Sequence, residues 1–513
     1  MNILFLLAGK SSSDHMNDGF KISTCRTALY IIRLLRKQGH RAVCHTRNIE
    51  EVDYGYLDFF KPDIVCLPAK PDEKLIEWAK NSGAKIGMGI GEFHSKSANS
   101  CMNKYQYLDF IVFGGEPYNT WVELAKSIES GKGFKDIKGL VYRNGSEIIE
   151  NAGSCDFDIN DFNDLEVALP GNNDAATITT SLGCVGNCTF CSEKLFHKKW
   201  QGRDVNKVIE EIKKYTDNGH YHFEFADTAI ESPDIKLERL TKLCKGIIAL
   251  NKPIFYKALF RPDFSRKATT EIMDLLVKSG LYYAFIGVES GNDEDLKLFN
   301  KRCTVQEAKD TVRLFEKYGV YTGIGFIMFH PFSTIESLTA NIDLLDDLGK
   351  ADFNTIFTFY RSNEIDRLTS ITKKEGLYYE NGYTWRFKDD KVSQIFTFIR
   401  FYFETMRPIL DEYDKLLRLQ GWYHHLEKKY AEDSEKSDAI KAYFKRTESI
   451  KQAMSIRICI WFRKLLEIAK EGFNNEKAVS VSLSLLNEEM ITETTNYINC
   501  EKKKLEKILG MSE

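Results

Sequence analysis

The sequence predicts an α/β protein of three parts: an N-terminal Rossmann-like, doubly wound parallel sheet, a partial TIM-like (β/α)6 barrel and a C-terminal helical domain. Two series of short apolar runs alternate with helical patterns, the first over residues 1–151 and the second from residue 177. Such runs indicate parallel strands that are buried on both faces under helices. Strand patterns end near residue 378, so the rest of the chain is expected to be helical.

The domain boundaries follow from these patterns. We assign residues 1–152 to the sheet domain, 153–176 to an irregular linker, 177–375 to the barrel and 376–513 to the helical domain. The linker is rich in Asp and Asn and contains Pro170-Gly171, which is typical of a connector. A chain of 513 residues has room for two or three such domains.

The sheet domain is expected to bind a ligand at the carboxyl ends of its strands. Strands are predicted over residues 2–8, 41–45, 63–68, 85–90 and 110–113. Ligands of doubly wound sheets bind at this edge. The candidate residues there are Ala8, Gly9, Thr46, Gly114, Gly115 and Glu116.

Composition argues against several classes of protein. The chain has 71 basic and 74 acidic residues, so we expect no general nucleic-acid partner. Its apolar start, Met1–Ala8, lacks the basic residues of a signal peptide and is predicted to be a strand. We expect no membrane span, because no stretch approaches about 20 apolar residues. Most of the 12 cysteines are scattered singly, which favours a reducing cytoplasm.

Three cysteines form the main chemical motif of the sequence. Cys184, Cys188 and Cys191 have the spacing C-x-x-x-C-x-x-C, and they follow the first predicted barrel strand. Thiolates on one tight loop can bind three irons of a [4Fe–4S] cluster and leave the fourth iron open. A zinc site would need a fourth ligand, for which His197 is the nearby candidate. A disulfide is less favoured in a chain without an export signal.

With the barrel pattern, this triad and the preceding aromatic Phe190 resemble the radical S-adenosylmethionine (SAM) superfamily. The resemblance implies a [4Fe–4S] cluster, SAM bound at the open iron, and an external one-electron reductant of the flavodoxin or ferredoxin type. It also implies SAM-binding residues at the ends of the predicted strands 222–227, 254–260 and 283–288. These residues are Asp227, Arg261, Glu289 and Ser290, and Phe190 of the cysteine loop is a further predicted SAM-binding residue. Asp227 and Glu289 could instead be structural ion-pair partners.

Two later strand ends depart from the superfamily pattern. Strand five (323–329) is followed by His330 where relatives have glycine, and strand six (354–359) is followed by Tyr360 and Arg361. At a barrel mouth these three side chains could bind an anionic substrate or transfer a proton, which makes them the candidate catalytic residues. They could equally well be satisfied structural hydrogen-bonding groups.

The N-terminal domain resembles the cobalamin-binding domain of one radical SAM branch. The resemblance rests on the Gly114-Gly-Glu116 turn and on the later Gly139-Leu-Val-Tyr-Arg143 ribbon. It implies cobalamin as a further cofactor. The D-x-H-x-x-G loop that supplies a cobalt ligand in many cobalamin proteins is absent, and a sheet that binds no ligand is the alternative.

This branch implies a class B-like methyltransferase that methylates an unactivated carbon of a small-molecule substrate through a 5′-deoxyadenosyl radical. A radical rearrangement, cyclisation or oxidation without methyl transfer is the first alternative. An iron–sulfur binding or electron-transfer protein is an alternative of another class, but such a protein would not need the residues at the strand ends.

Overall fold

The structure is a computed structural model of the chain. It describes residues 1–6, 18–45, 53–68, 71–90, 95–114, 117–163, 165, 175–197, 199–234, 236–362, 366–379 and 385–510. The chain packs into two compact units. The first comprises Met1–Gly183 and Glu193–His220, and the second comprises Cys184–Ser192 and Tyr221–Glu513.

The first unit is built on a seven-stranded sheet with the order β2-β1-β3-β4-β5-β6-β7. The parallel strands are β1 (Asn2–Leu6), β2 (Arg41–His45), β3 (Ile64–Leu67), β4 (Lys85–Met88) and β5 (Phe110–Val112), and the antiparallel strands β6 (Leu140–Asn144) and β7 (Glu147–Asn151) extend them. The helices are α1 (Asp18–Lys37), α2 (Tyr54–Phe60), α3 (Glu73–Asn81), α4 (Ser95–Lys104) and α5 (Tyr118–Glu129). This confirms the predicted doubly wound sheet.

The sheet is covered on both faces, as the continuous apolar strands predict. One apolar core lies under α1 and α5, and the other lies under α2, α3 and α4. At Gly87 of β4 a Cβ would lie 2.0 Å from the Phe110 ring, so glycine is needed for this ring to pack across the sheet. Asp72 begins α3 by accepting a hydrogen bond from the Leu75 amide at 2.7 Å.

The linker contributes to the core of the first unit. Residues Ile159–Phe162 form a short 3-10 helix, and the Phe162 ring stacks on Tyr30 of α1 at 3.8 Å. The remaining elements of this unit are β8 (Ala176–Ile178), β9 (Ser181–Leu182), α6 (Glu193–Phe196), β10 (Gln201–Gly202) and α7 (Val205–Asp217). The described part of the linker thus contains a short helix that its composition does not predict.

A buried ion-pair triad links α1 and α7. Glu211 accepts from Arg33 at 3.0 Å and from Arg203 at 2.7 Å, and all three side chains are almost fully buried. Two cations around one anion keep the carboxylate paired in a place where a lone charge would be costly.

The second unit carries the parallel strands β11 (His222–Phe225), β12 (Phe255–Phe260), β13 (Leu281–Glu289) and β14 (Tyr321–Phe326), paired in that order. The helices between and after them are α8 (Glu238–Ala249), α9 (Thr270–Lys278), α10 (Asp293–Leu298), α11 (Val305–Lys317) and α12 (Ile335–Asp347). Along β12 and β13, buried residues alternate with partly exposed ones. One face of the strands is therefore open, as expected of the inner face of a partial barrel.

The prediction of a sixth barrel strand over residues 354–359 is wrong. Helix α13 (Phe353–Phe357) occupies its first part because a capping box starts it: the Asp352 carboxylate accepts from the Thr355 amide, and the Asp352 amide donates to the Thr355 hydroxyl oxygen. Only an isolated parallel bridge between Phe329 and Phe359 continues the sheet there. Helix α14 (Arg367–Lys374) follows.

Four helices complete the second unit: α15 (Asp390–Lys429), α16 (Ser434–Glu471), α17 (Asn475–Leu485) and α18 (Glu488–Leu509). The predicted helical character is confirmed. These helices pack on the barrel within one unit, so the boundary placed at residue 375 stays a prediction. No helix in the described part of the chain is long and apolar enough to cross a bilayer.

Candidate active site

The cysteine loop is anchored by hydrogen bonds of its backbone and of the Thr189 side chain. Thr189 donates through its amide to the Phe299 carbonyl and through its hydroxyl to the Leu298 carbonyl, both at 2.9 Å. The side-chain amide of Asn300 donates to the Asn187 carbonyl at 2.7 Å. These contacts hold the loop against the segment that follows α10.

The three predicted cluster ligands lie on this loop, and none of them is in a disulfide. Cys184 and Cys188 are partly buried and Cys191 is exposed. A Cβ at Gly186 would lie 3.3 Å from Sγ of Cys184 and 3.9 Å from Sγ of Cys188, so both sulfurs border the same small space. This arrangement fits a cluster whose irons are bound by thiolates on one loop.

A single metal ion would need a tighter arrangement. Throughout the described ranges, no three side chains of Cys, His, Asp or Glu are gathered closely enough to hold one ion. A four-iron cluster binds each thiolate at a different iron, so it accepts sulfurs that are more widely spaced than the ligands of one zinc ion.

Arg261 lies beside the cysteine loop at the end of β12. Its Nη1 lies 2.8 Å from the position of a Cβ at Gly186, and its Nη2 donates to the Lys301 carbonyl at 3.3 Å. Its Nε donates to Asp263 at 3.0 Å. Burial opposes its charge, but Asp263 and Cys184 outweigh burial and raise the pKa of Arg261. A permanent cation is thus held next to the thiols.

Glu289 ends β13 in an unusual conformation. Its φ is +69°, and the register between β13 and β14 shifts by one residue at this point. A Cβ at Gly287 would lie 2.7 Å from the Glu289 carboxylate, so glycine leaves the space that this side chain fills. Left-handed backbone at a non-glycine residue is costly and is frequent at functional sites.

The carboxylate of Glu289 is paired with Lys301. Nζ of Lys301 donates to Oε1 at 2.7 Å, and the two side chains are 9% and 13% exposed. Burial opposes the charge of Lys301, but Glu289 and Cys188 outweigh it and raise the pKa of the ammonium. The Phe190 ring lies 5.7 Å from Nζ. Lys301 thus contacts Glu289 at the end of β13 and lies close to Phe190 of the cysteine loop.

Ser290 and His330 lie together in a buried polar network. The Ser290 hydroxyl lies 2.8 Å from both Asp295 and Asn341, and Asn341 also accepts from the Gly291 amide at 2.6 Å. His330 is 0% exposed, and its Nε2 lies 3.1 Å from the Asp295 carboxylate. Asp227, at the end of β11, is likewise buried. Ser290 and His330 therefore lie away from solvent, where they hold the end of β13.

Tyr360 and Arg361 have different surroundings. The Tyr360 hydroxyl is buried between Asp366 and Thr369, with its oxygen 2.6 Å from Oγ1 of Thr369. Burial raises the pKa of Tyr360 far above its usual value, so the hydroxyl remains protonated. Arg361 is exposed, with its guanidinium carbon 5.9 Å from the centre of the Phe359 ring. Of the three predicted catalytic residues, Arg361 is the one in contact with solvent.

The ligand edge of the first unit is described in part. Gly114 follows β5 with a φ of +91°, and a Cβ there would meet no atom within 4 Å. The other predicted residues, Ala8, Gly9, Thr46, Gly115 and Glu116, lie outside the described residues. The strand order β2-β1-β3 places a topological switch point between β1 and β3, where ligands of such sheets bind.

Sequence reasoning missed two residues of the second unit that the structure connects to the site. The first is Lys301, for which the presence of a lysine after α10 was the signal for the Glu289 ion pair. Asn341 lies in the middle of α12, and nothing in its spacing indicates that it caps the end of β13.

Residues 178–345 match the protein-family model described as the radical SAM superfamily. The chain contains a radical SAM domain. The match covers the cysteine loop and the strand ends that carry Asp227, Arg261 and Glu289. The superfamily implies a [4Fe–4S] cluster and SAM, and the three cysteines of the loop fit the cluster.

Relatives of this chain are named for different reactions. The chain is 26% identical over 325 residues to an uncharacterised methyltransferase of Pyrococcus horikoshii, covering 59% of this chain and 68% of the relative. It is 28% identical over 248 residues to the anaerobic magnesium-protoporphyrin IX monomethyl ester cyclase of Cereibacter sphaeroides, covering 45% of this chain and 40% of the cyclase. The chain thus spans less than half of that cyclase.

Solved structures with similar folds are cobalamin-dependent or methyl-transferring radical SAM enzymes. OxsB with aqua-cobalamin bound matches with a TM-score of 0.67 and 18% identity, covering 100% of this chain and 80% of OxsB. The methyltransferase TsrM from Kitasatospora setae matches with a TM-score of 0.57 and 15% identity, covering 73% of this chain and 76% of TsrM. At these identities the matches establish the fold.

Proposed function

We propose that this radical SAM enzyme binds cobalamin and transfers a methyl group to an unactivated carbon of a small-molecule substrate. The observation that carries the radical chemistry is the three-thiol loop with Arg261 beside it and the buried Glu289–Lys301 pair behind it. Cobalamin is supported by the doubly wound sheet and by the likeness to OxsB and TsrM. Methyl transfer is supported by the relative named a methyltransferase.

The second unit offers groups suited to both parts of the radical chemistry. Cys184, Cys188 and Cys191 would hold the cluster, and the guanidinium of Arg261 suits the bidentate binding of the SAM carboxylate. Glu289 would accept hydrogen bonds from the ribose or amino group of SAM. Asp227 would bind the SAM amino group, and Ser290 would act from its buried network by fixing Glu289.

When bound, the cluster and SAM supply a 5′-deoxyadenosyl radical, and methylated cobalamin supplies the methyl group. The residues of the chain bind, orient and exclude water. Arg361, which is exposed after the Phe329–Phe359 bridge, would bind an anionic group of the substrate. An external one-electron reductant would be the protein partner.

A radical cyclisation, rearrangement or oxidation without methyl transfer is the second candidate. It is favoured by the likeness to the cyclase of Cereibacter sphaeroides and to a putative methylthiotransferase of Methanocaldococcus jannaschii, which is 29% identical over 262 residues. Because the same radical site serves all these reactions, the barrel alone does not choose between them.

The testing experiment is anaerobic purification with cobalamin supplied, followed by iron and cobalt analysis and by an assay for 5′-deoxyadenosine with SAM and dithionite. We expect about four irons per chain, as one [4Fe–4S] cluster requires, together with about one cobalt and SAM cleavage. Iron and cleavage without cobalt would support the second candidate. Iron without cleavage would support an electron-transfer protein and refute both.

Single cysteine variants provide the matched control. Cys184→Ala is expected to lose most of the iron and all SAM cleavage, because the cluster would keep two thiolates. Cys500→Ala changes an exposed thiol on α18 and is expected to retain both. Equal iron in the two variants would contradict the assignment of the loop.

A further inference from the structure

Glu231 is a fully buried carboxylic acid near the end of β12. Its side chain is 0% exposed, and its Oε1 accepts a hydrogen bond from the Arg261 amide at 3.1 Å. Nζ of Lys267 lies 4.0 Å from the same oxygen. Its second oxygen, Oε2, is buried and has no hydrogen-bond partner. Burying a carboxyl oxygen without a hydrogen-bond partner costs stability, so the burial of Glu231 needs a structural reason.

Just beyond the end of β12, the Glu231 carboxyl accepts the main-chain hydrogen bond that a neighbouring strand would otherwise accept. Phe260 is the last residue of β12, so the Arg261 amide lies just beyond the strand. The Ile230 amide donates to the Leu259 carbonyl at 3.0 Å, which ties the residue before Glu231 to the same strand. The position of the acid is therefore fixed relative to the strand that it extends.

Helix α11 holds the same segment through other contacts. The Thr311 hydroxyl donates to the Pro262 carbonyl at 2.7 Å and accepts from the Ser265 amide at 3.0 Å. Glu231 and Thr311 thus hold the main chain on either side of the Arg261–Pro262 peptide bond. Together they determine where the Arg261 side chain leaves the main chain.

The position of the Arg261 side chain matters because its guanidinium has little space. Nη1 lies 2.8 Å from the position of a Cβ at Gly186, and Nη2 lies 3.3 Å from the Lys301 carbonyl. A main-chain shift of about 1 Å at a residue that orients a ligand can cost about 100-fold in rate. A leucine would fill the space of Glu231 at a lower desolvation cost, but it would leave the Arg261 amide without this acceptor.

We propose that Glu231 is a positioning residue, which fixes the main chain at Arg261 so that the guanidinium is held in place to bind SAM. The proposal rests on the proposed function, in which Arg261 binds the SAM carboxylate. Glu231 itself is buried and acts through Arg261. Its acceptor oxygen serves this purpose whether or not the acid carries a proton, and burial raises the pKa of Glu231 toward the protonated form.

The test compares Glu231→Leu with Glu231→Gln in the holoenzyme, by SAM cleavage kinetics and by the EPR spectrum of the reduced cluster with SAM. Loss of a buried hydrogen-bond acceptor is expected to raise the KM for SAM about 10-fold in the leucine variant. Its iron content should be unchanged. Glutamine keeps an acceptor oxygen of the same reach, so it should stay within about twofold of the wild type. Equal kinetics for the two variants would overturn the proposal.

If the leucine variant does not fold, Glu231→Asp tests the same point, because its side chain is one methylene too short to reach the Arg261 amide. The Asp variant should raise the KM for SAM and alter the EPR spectrum of the SAM complex. Wild-type behaviour of a folded Asp variant would overturn the proposal.

A double-mutant cycle with Arg261→Met separates this inference from the proposed function. If Glu231 acts through Arg261, Glu231→Leu should add little once the guanidinium is gone. Independent, multiplicative effects of the two changes would refute the positioning role while leaving SAM binding by Arg261 intact. If Arg261→Met alone leaves the KM for SAM unchanged, the assigned role of Arg261 fails, and the inference fails with it.

Discussion

Replacing Lys301 by methionine should reveal how strongly the buried ion pair beside the cysteine loop contributes to stability. The change keeps a flexible apolar stem of similar length but removes the ammonium that lies 2.7 Å from Glu289. The Glu289 carboxylate is 13% exposed and would lose its counter-charge. Breaking a buried pair in this way costs about 3–5 kcal/mol, because one charge remains buried without a partner.

The loss should appear as a lower free energy of unfolding in anaerobic urea titrations at neutral pH. Lys297→Met is the matched control, because Lys297 pairs with Glu294 at 2.6 Å but the two side chains are 70% and 78% exposed. Exposed pairs contribute little, so the control should unfold like the wild type.

A second change, Glu289→Gln, should recover part of the loss when it is added to Lys301→Met, because no unpaired carboxylate then remains. A Lys301→Met variant as stable as the Lys297→Met control would refute the argument that burial makes this pair strong. A double variant less stable than Lys301→Met alone would refute the argument that the lone charge causes the loss.

Three further predictions concern the cysteine loop, the buried triad of the first unit and the pH dependence of the Lys301 ion pair. Gly186→Ala would place a methyl group 2.8 Å from Nη1 of Arg261, so SAM cleavage should fall at least about 10-fold, and unchanged cleavage would contradict the described loop. Glu211→Leu would leave two buried arginines without their shared carboxylate and should lower the free energy of unfolding by about 3–5 kcal/mol, measured by urea titration; a loss near zero would contradict the buried triad. The pKa of Lys301 is raised above its usual value of 10.5, so its ion pair should stabilise the fold fully below that pH and weaken only as the pH rises through the higher folded value. The stability difference between wild type and Lys301→Met should therefore be equal at pH 7 and pH 9, and a smaller difference at pH 9 would contradict it.

The strands and most helices could be predicted because apolar periodicity reports directly on burial. Strand six is the exception, because residues 354–359 have a strand-like apolar pattern. The side chain of Asp352, just before them, starts a helix instead. A capping interaction of this kind depends on one side chain and one amide, so an average over apolar residues does not reveal it.

The sequence gives the order of the candidate site residues along the chain, but it does not give the geometry of their side chains. Spacing places Ser290 and His330 after strands, but it does not show which way their side chains point. In the structure both lie beside Asp295 in a buried network, and Ser290 also contacts Asn341 of the distant helix α12. Contacts over such separations depend on how α12 packs, which the sequence near either residue does not encode.

The way the C-terminal helices pack on the barrel bears on how such an enzyme could acquire a new substrate. The centre of the Phe329 ring, at the barrel edge, lies 5.2 Å from that of Phe396 in α15 and 6.3 Å from that of Phe462 in α16. Arg463 of α16 pairs with Asp343 and Asp346 of α12, both at 2.8 Å. These helices are therefore not an interchangeable module.

A chain cut at residue 375 would expose the rings that α15 and α16 cover, which favours aggregation. Exchange of the helices between relatives would require matching substitutions on α12 and on the barrel edge. Evolution of this enzyme, and its laboratory redesign, should therefore proceed by single substitutions within the helices more readily than by recombination at their start.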